Sequence, residues 1–286
     1  MNLEFWYMLP IAIAVSTTAM ASGIGGATFF APILMLGVGV EPGVAIGTGL
    51  ITEVFGFASG LTAYARKRLI DYRLGGSMLV VTIPAALIGA WAAGVFPPEL
   101  LKLILAIGLL AVAVNFLRAP NDDEIGRIDT EINREFTADN AQTCIVAAGG
   151  RKFCYTACNR TEGRVVAATG GLFVGLISTG LGELSGVFLM RRCRVPSPVA
   201  VATTVFVVAV TVLVASAGHF AQFVSAGSAT MDLVFSLVVF TIPGVIIGGQ
   251  LGPVAARRIP QVRLERILAV LFILVASVTV AEVALR

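Results

Sequence analysis

The chain alternates long apolar runs with short polar breaks. The first run begins near Phe5 and ends near Val38, too long for one straight helix across a hydrocarbon core that roughly 20 residues span. Ser22-Gly23-Ile24-Gly25-Gly26 sits inside it. Glycine tolerates turn conformations that other residues avoid, so the run is expected to break there. The later runs are Val44–Ala65, Gly75–Phe96, Leu100–Leu117, Val165–Met190, Val199–Gly218, Leu233–Ala256 and Leu264–Leu285. Val165–Met190 carries a second break, Ser178-Thr179-Gly180-Leu181-Gly182-Glu183. Pro84 and Pro243 fall inside runs, where proline is expected to kink a helix.

These runs read as two copies of four. Gly23-Ile24-Gly25 matches Gly180-Leu181-Gly182, and Val44-Ala45-Ile46-Gly47-Thr48 matches Val199-Ala200-Val201-Ala202-Thr203. Thr82-Ile83-Pro84 and Gly89 match Thr241-Ile242-Pro243 and Gly248, and Leu101–Ala106 matches Leu264–Ala269. One match is unremarkable in an apolar chain; the same order throughout points to an internal duplication. The basic residues orient the copies. Arg66, Lys67, Arg68 and Arg73 fill one loop, Arg191, Arg192 and Arg194 another, and Arg257, Arg258, Arg263 and Arg266 a third. The loops near Glu41, near Pro97 and from Gly218 to Asp232 hold no Lys or Arg. Short basic loops stay cytoplasmic, which makes the copies face opposite ways. Each copy then makes an odd number of crossings, so each broken unit enters and leaves on one side, as a re-entrant hairpin or two short tilted helices. Two plain tilted helices kinked at glycine would instead make the copies parallel.

Composition places the chain in a bilayer. Hydrophobic residues make up 57% and charged residues 13%, against roughly 25% charged in a soluble domain. The expected fold class is an all-α polytopic membrane protein of two inverted repeats, each a glycine-broken segment plus three transmembrane helices. The expected division is 1–117 for the first membrane repeat, 118–164 for a cytoplasmic polar linker and 165–286 for the second repeat. Met1–Ala21 has the length of a signal peptide, but Glu4 and the lack of Lys or Arg argue against cleavage. Phe5-Trp6-Tyr7, Trp91 and Phe96 read as interfacial belt residues.

A glycine break at membrane depth has a chemistry. Irregular backbone is tolerated there only where protein or a water-filled cavity surrounds it, so the two tips are expected to meet near the bilayer middle. The helix restarting after each tip points free N–H groups and its positive dipole end at the cavity, which suits an anion. Ser22, Thr28, Ser178, Thr179 and Ser185 add hydroxyl donors nearby, and Thr48, Thr203 and Thr204 add more from the following segments. Small residues also serve close helix packing, which competes as an explanation. Glu53 and Glu183 are carboxylates at membrane depth. An ionised carboxylate there costs about 2.5–3.5 kcal/mol even on an insertion scale, so each is a candidate to carry a proton, or is paired with a hydroxyl or backbone group. His219, the one histidine, lies at a segment end and is expected at the interface.

The stretch from Arg118 to Arg164 is polar, with nearly balanced charge. Ile125, Ile128, Ile132 and Phe136 fall at helical spacing. Cys144–Ala147, Gly149-Gly150 and Lys152–Tyr155 read as a short hairpin. A cytoplasmic location predicts reduced thiols at Cys144, Cys154 and Cys158, whose spacing is not that of a usual zinc pair.

The duplicated glycine tips, the Thr-Ile-Pro of the third and seventh runs and the polar mid-chain linker resemble the sulfite exporter TauE/SafE family of membrane transporters. The resemblance implies a plasma-membrane permease that moves sulfite or an organosulfonate such as sulfoacetate outward, with Gly23–Gly26 and Gly180–Glu183 at the site. The reading is therefore a secondary transporter for a small anion working by alternating access. Its partners are that substrate and the lipid bilayer; nucleic acid is excluded and a homodimer allowed. No P-loop is present, and neither cofactor, metal nor catalytic residue is expected. An anion channel, or a thiol sensor built on the linker, is the alternative.

Overall fold

A computed structural model of the chain describes residues 3–22, 27–118, 122–136, 142–156, 160–256 and 261–285. In the first apolar run, on either side of residues 23–26, α1 spans Met8–Ser22 and α2 spans Ala27–Pro32, and a π-helical turn follows over Ile33–Val38. α3 (Pro42–Arg66), α4 (Tyr72–Val95) and α5 (Pro98–Leu117) come next. The polar stretch folds as α6 (Asp122–Glu135) and a hairpin of β1 (Thr143–Val146) and β2 (Lys152–Tyr155). α7 (Arg160–Ile177) then stops at the second tip, and α8 (Leu181–Val187) runs into a second π-helical turn, Phe188–Arg192. α9 (Ser197–Ala226), α10 (Ser228–Ala256) and α11 (Gln261–Ala284) complete the fold. Among the described residues six helices, α3, α4, α5, α9, α10 and α11, are long and apolar enough to cross a membrane. The protein is a multi-pass, predominantly α-helical membrane protein. Val80, Ile88, Trp91, Ile107 and Leu274 lie exposed on its outer surface, as lipid rather than water would favour.

Helices from the two ends of the sequence pack on one another: α1 on α10, α4 on α7, α3 on α9 and α5 on α11. Small residues set the close approaches. A Cβ at Gly89 would stand 2.2 Å from the Leu172 carbonyl of α7, and one at Gly248 2.5 Å from the Ile13 carbonyl of α1. Gly89 and Gly248 thus serve close helix packing. α7 runs parallel to α4, since Gly171 meets Thr82 and Gly175 meets Ala86 and Ala90. α1 runs parallel to α10, with Gly244 against Leu9 and Ala12, and Gly248 against Ile13 and Ser16. The Ser16 hydroxyl donates to the Val245 carbonyl at 2.9 Å. Two buried threonine pairs bind helices across the halves: Thr52 with Thr241 at 2.8 Å and Thr82 with Thr211 at 3.0 Å. The π-helical turns close alike. The Val40 N–H donates to the Leu34 carbonyl and the Val195 N–H to the Leu189 carbonyl, both at 3.0 Å.

α6 and the hairpin form a cap at one end of the bundle. The Ala148 N–H donates to the Lys67 carbonyl, and the Tyr155 hydroxyl to Asp71 Oδ2. Asp129 accepts from the N–H and hydroxyl of Ser197, and Arg194 pairs with Glu131 and Glu135. The basic loops 66–73 and 191–197 therefore share this end with the cap. The helix and hairpin expected from the Ile spacing and the Gly149-Gly150 turn are both present, and Ile132 is fully buried. The expectation of reduced thiols is overturned: Cys144 and Cys154 form a disulfide, and Cys193 is also disulfide-bonded. The antiparallel register sets Cys144 opposite Cys154, with Cα atoms 4.1 Å apart, which brings the sulfurs within bonding reach. Cys158 lies outside the described residues.

Candidate functional site

The second break is built by backbone conformation. The Ser178 N–H still donates to the Val174 carbonyl, but Ser178 has φ +60° and Gly180 φ +108°. A non-glycine residue in the left-handed region is uncommon and costs free energy that the surroundings must supply. Gly180 is the N-cap of α8 and has no side chain to bond the N–H groups at its start. Leu181 is fully buried, against Gly170 of α7. Glu183 lies in the first turn of α8, and Ser22 is the last residue of α1. Gly23, Ile24, Gly25 and Gly26 lie outside the described residues, so the first tip is visible from its flanks.

Those flanks reach the second tip. The Thr28 hydroxyl, on α2, donates to the Thr179 hydroxyl at 3.1 Å. Thr28 is 2% exposed and Thr179 4%, so the two interrupted units touch inside the protein, away from water and lipid. Around this contact α2 packs on α3, α3 on α9 and α8 on α9.

Three of the expected hydroxyls are buried without a hydrogen-bond partner among the described residues: Thr48 on α3, Ser185 on α8 and Thr204 on α9. Leaving such a group unpaired costs about 1–3 kcal/mol, so buried polar groups are nearly always satisfied. Unpartnered hydroxyls on the elements that surround the tip contact are what a polar ligand would satisfy. Thr203 differs: its oxygen accepts the Asp71 N–H at 3.0 Å, so it also ties α9 to the start of α4. Glu53 is 5% exposed, on α3 next to the Thr52–Thr241 pair.

Two participants were not legible as such. His219 is fully buried, not interfacial as its place near an apolar boundary implied; α9 continues to Ala226, which carries it into the bundle. Its Nε2 donates to the Gly175 carbonyl at 2.8 Å, its Nδ1 has no partner among the described residues, and its Cβ lies against Gly47. It thus bridges the helix before the second tip to the turn of α3 that carries Thr48. Asp71 is the second: Oδ1 caps α4 by accepting from the Arg73 and Leu74 N–H groups, while Oδ2 takes the Tyr155 hydroxyl. Aspartate just before an apolar run is an N-cap signal that could have marked it.

Comparison with known proteins agrees with this architecture. The family described as sulfite exporter TauE/SafE matches residues 8–279. The chain is 24% identical to the probable membrane transporter protein YunE of Bacillus subtilis (strain 168) over 287 residues, 98% of each chain. It is 26% identical to the probable membrane transporter protein YjnA of the same organism over 242 residues, 81% of this chain and 84% of that one. No solved structure matches significantly.

Proposed function

The chain belongs to the sulfite exporter TauE/SafE family, and from that premise we propose that it is a secondary transporter moving a small sulfur oxyanion, sulfite or an organosulfonate such as sulfoacetate, outward by alternating access. The observation that carries the site is the Thr28–Thr179 bond, which brings the two interrupted units together in the buried interior. In this reading Ser22–Gly26 and Ser178–Gly182 offer backbone N–H groups to the anion, and Thr48, Ser185, Thr203 and Thr204 offer hydroxyls.

The division is a first repeat over 1–117, a linker over 118–164 and a second, inverted repeat over 165–286. Several observations support it. The matched glycines 89 and 248 each press on the interrupted unit of the other half. The two π-helical turns close with equivalent bonds. α7 starts at the cap end beside the start of α4, and its unit returns there at Val195, whereas α1 parallels α10 and its unit returns at Val40 to the other end. Hairpins entering from opposite ends and touching through Thr28 and Thr179 give two gates related by a pseudo-two-fold axis around one site, the arrangement alternating access needs. Glu53, buried on α3 like Thr48, and Glu183 at the second tip carry the proton that couples anion movement to the pH gradient.

Reconstitution into vesicles with sulfite or sulfoacetate under an imposed pH gradient tests the reading. Expected is saturable flux that rises with the gradient. Absence of anion flux under every gradient refutes transport, and flux that never saturates and ignores pH identifies a channel.

A further inference from the structure

We propose that the Cys144–Cys154 disulfide of the cap is a covalent receptor for sulfite, so that the transported anion reports its own concentration to the transporter; this rests on the sulfite reading of the site. The hairpin presents its two sulfurs unequally. Cys144 is exposed, whereas Cys154 is 8% exposed, between Phe153 and the fully buried Tyr155. A nucleophile displacing along the S–S axis therefore reaches Cys144 from solvent and expels Cys154 inward.

Charge favours an anion as that nucleophile. Arg151 and Lys152 flank the hairpin turn and are exposed. The turn is bonded through the Ala148 N–H to the loop that carries Arg66, Lys67 and Arg68, also exposed. Of the acidic groups around the cap, Asp71 bonds Tyr155, Asp129 bonds Ser197, Glu131 and Glu135 pair with Arg194, and Glu162 pairs with Arg192, while Asp123 and Glu124 lie exposed on α6. A doubly charged anion is concentrated by such a surface, more so at low salt.

The step balances without a further reagent. The lone pair on sulfite sulfur forms a bond to Cys144 Sγ, the Cys144–Cys154 bond breaks, and its electron pair leaves on Cys154 Sγ. The products are an S-sulfonate on Cys144 and a thiolate on Cys154, which takes a proton from water. When sulfite falls, the Cys154 thiolate attacks the S-sulfonate, releases sulfite and re-forms the disulfide. The basic loops place this cap in the cytoplasm, where protein disulfides are characteristically transient or sensing rather than structural. A path inward exists. Tyr155 follows Cys154, its hydroxyl holds the Asp71 carboxylate, and the Asp71 N–H holds Thr203, the neighbour of Thr204.

The test uses the full chain in vesicles and separates sensing from transport by choice of anion. Sulfoacetate and sulfate carry no lone pair on sulfur; sulfite does. After sulfite exposure, peptide mass mapping with a thiol-alkylating tag is expected to find an S-sulfonate on Cys144 and alkylation on Cys154, and dialysis before the tag is added is expected to leave neither. Sulfate is expected to leave both cysteines paired. Sulfite pre-incubation is expected to change the initial rate of sulfoacetate flux in the native protein and to leave that of a Cys144→Ser, Cys154→Ser variant unchanged. No adduct at sulfite concentrations that support flux overturns the proposal, as does an adduct confined to Cys154. Opening by glutathione with none by sulfite also overturns it, in favour of an ordinary thiol switch. Sulfoacetate flux with an inert disulfide overturns the receptor and leaves the transport reading standing, whereas a sulfite adduct without any anion flux refutes transport and with it the feedback on the transporter.

Discussion

Gly89→Ala probes whether the contact between α4 and the interrupted unit sets the geometry of the site. The added Cβ would lie 2.2 Å from the Leu172 carbonyl, 2.9 Å from the Leu176 N and 3.1 Å from Gly175 Cα, where ordinary contact begins at 3.4 Å. All three atoms are backbone, so no rotamer change relieves the clash and the helices part by about 1 Å. Overpacking of this kind costs about 1–3 kcal/mol, and the rigid partner argues for the upper end. Alanine returns up to about 1 kcal/mol of helix propensity, leaving a net loss of about 2 kcal/mol, a factor of roughly 30 in the folded population. Gly76→Ala on the same helix is the control: nothing lies within 4 Å of its Cβ, so only the propensity gain remains. Thermal unfolding in detergent micelles is expected to show a lowered midpoint for Gly89→Ala and an unchanged or raised one for Gly76→Ala. Vesicle flux is expected to fall with the first and persist with the second, because α7 leads directly into Ser178–Gly180. If Gly89→Ala melts at or above the native midpoint with full flux, the α4–α7 contact does not position the tip.

Four further outcomes follow from named contacts. Thr28→Val and Thr179→Val should each lower stability by about 1–3 kcal/mol, and a double-mutant cycle should return a coupling of about 1 kcal/mol; additivity would mean the tips do not bond. Glu53→Gln should keep downhill anion exchange yet lose its response to a pH gradient, and an unaltered response would remove Glu53 from proton coupling. Burial, then the hydrogen bond and charge of Asp71, push the Tyr155 hydroxyl well above its ordinary value. The folded cap therefore keeps a proton that the unfolded chain sheds near pH 10, and its stability falls as pH rises beyond about 10. Protection of the hairpin amides, corrected for their base-catalysed intrinsic exchange, should fall there in the native protein and hold steady in Tyr155→Phe. Single cysteines in a cysteine-free background at Arg66 and Arg192 should label from one side of the membrane and one at Ser228 from the other; labelling of Arg66 and Arg192 from opposite sides would refute the topology.

Hydropathy and glycine spacing carried most of the architecture. Six of the eight apolar runs are single helices long and apolar enough to cross a membrane, and α7 stops at the Ser178–Gly182 break, because a bilayer admits few backbone solutions and a helix that loses its i, i+4 bonds must stop. Boundaries were less legible. α9 extends eight residues past the expected Gly218, since polar residues such as Gln222 find partners in the bundle, here the Ala90 carbonyl, that hydropathy does not count. A cytoplasmic location alone implies thiols at Cys144 and Cys154, but the strand register does not. Counting outward from the Gly149-Gly150 turn pairs them directly.

By itself, then, the order of residues determined the membrane class, the six long apolar helices and the stop of α7 at its glycine break, since each depends on local solvation and backbone freedom. Only the tertiary structure decided that Thr28 meets Thr179, that His219 turns inward to Gly175, and that Asp71 joins cap, α4 and α9. Those are contacts between distant stretches, and which hydroxyl or carbonyl a polar group finds is set by how whole helices pack, a quantity no short window of sequence contains.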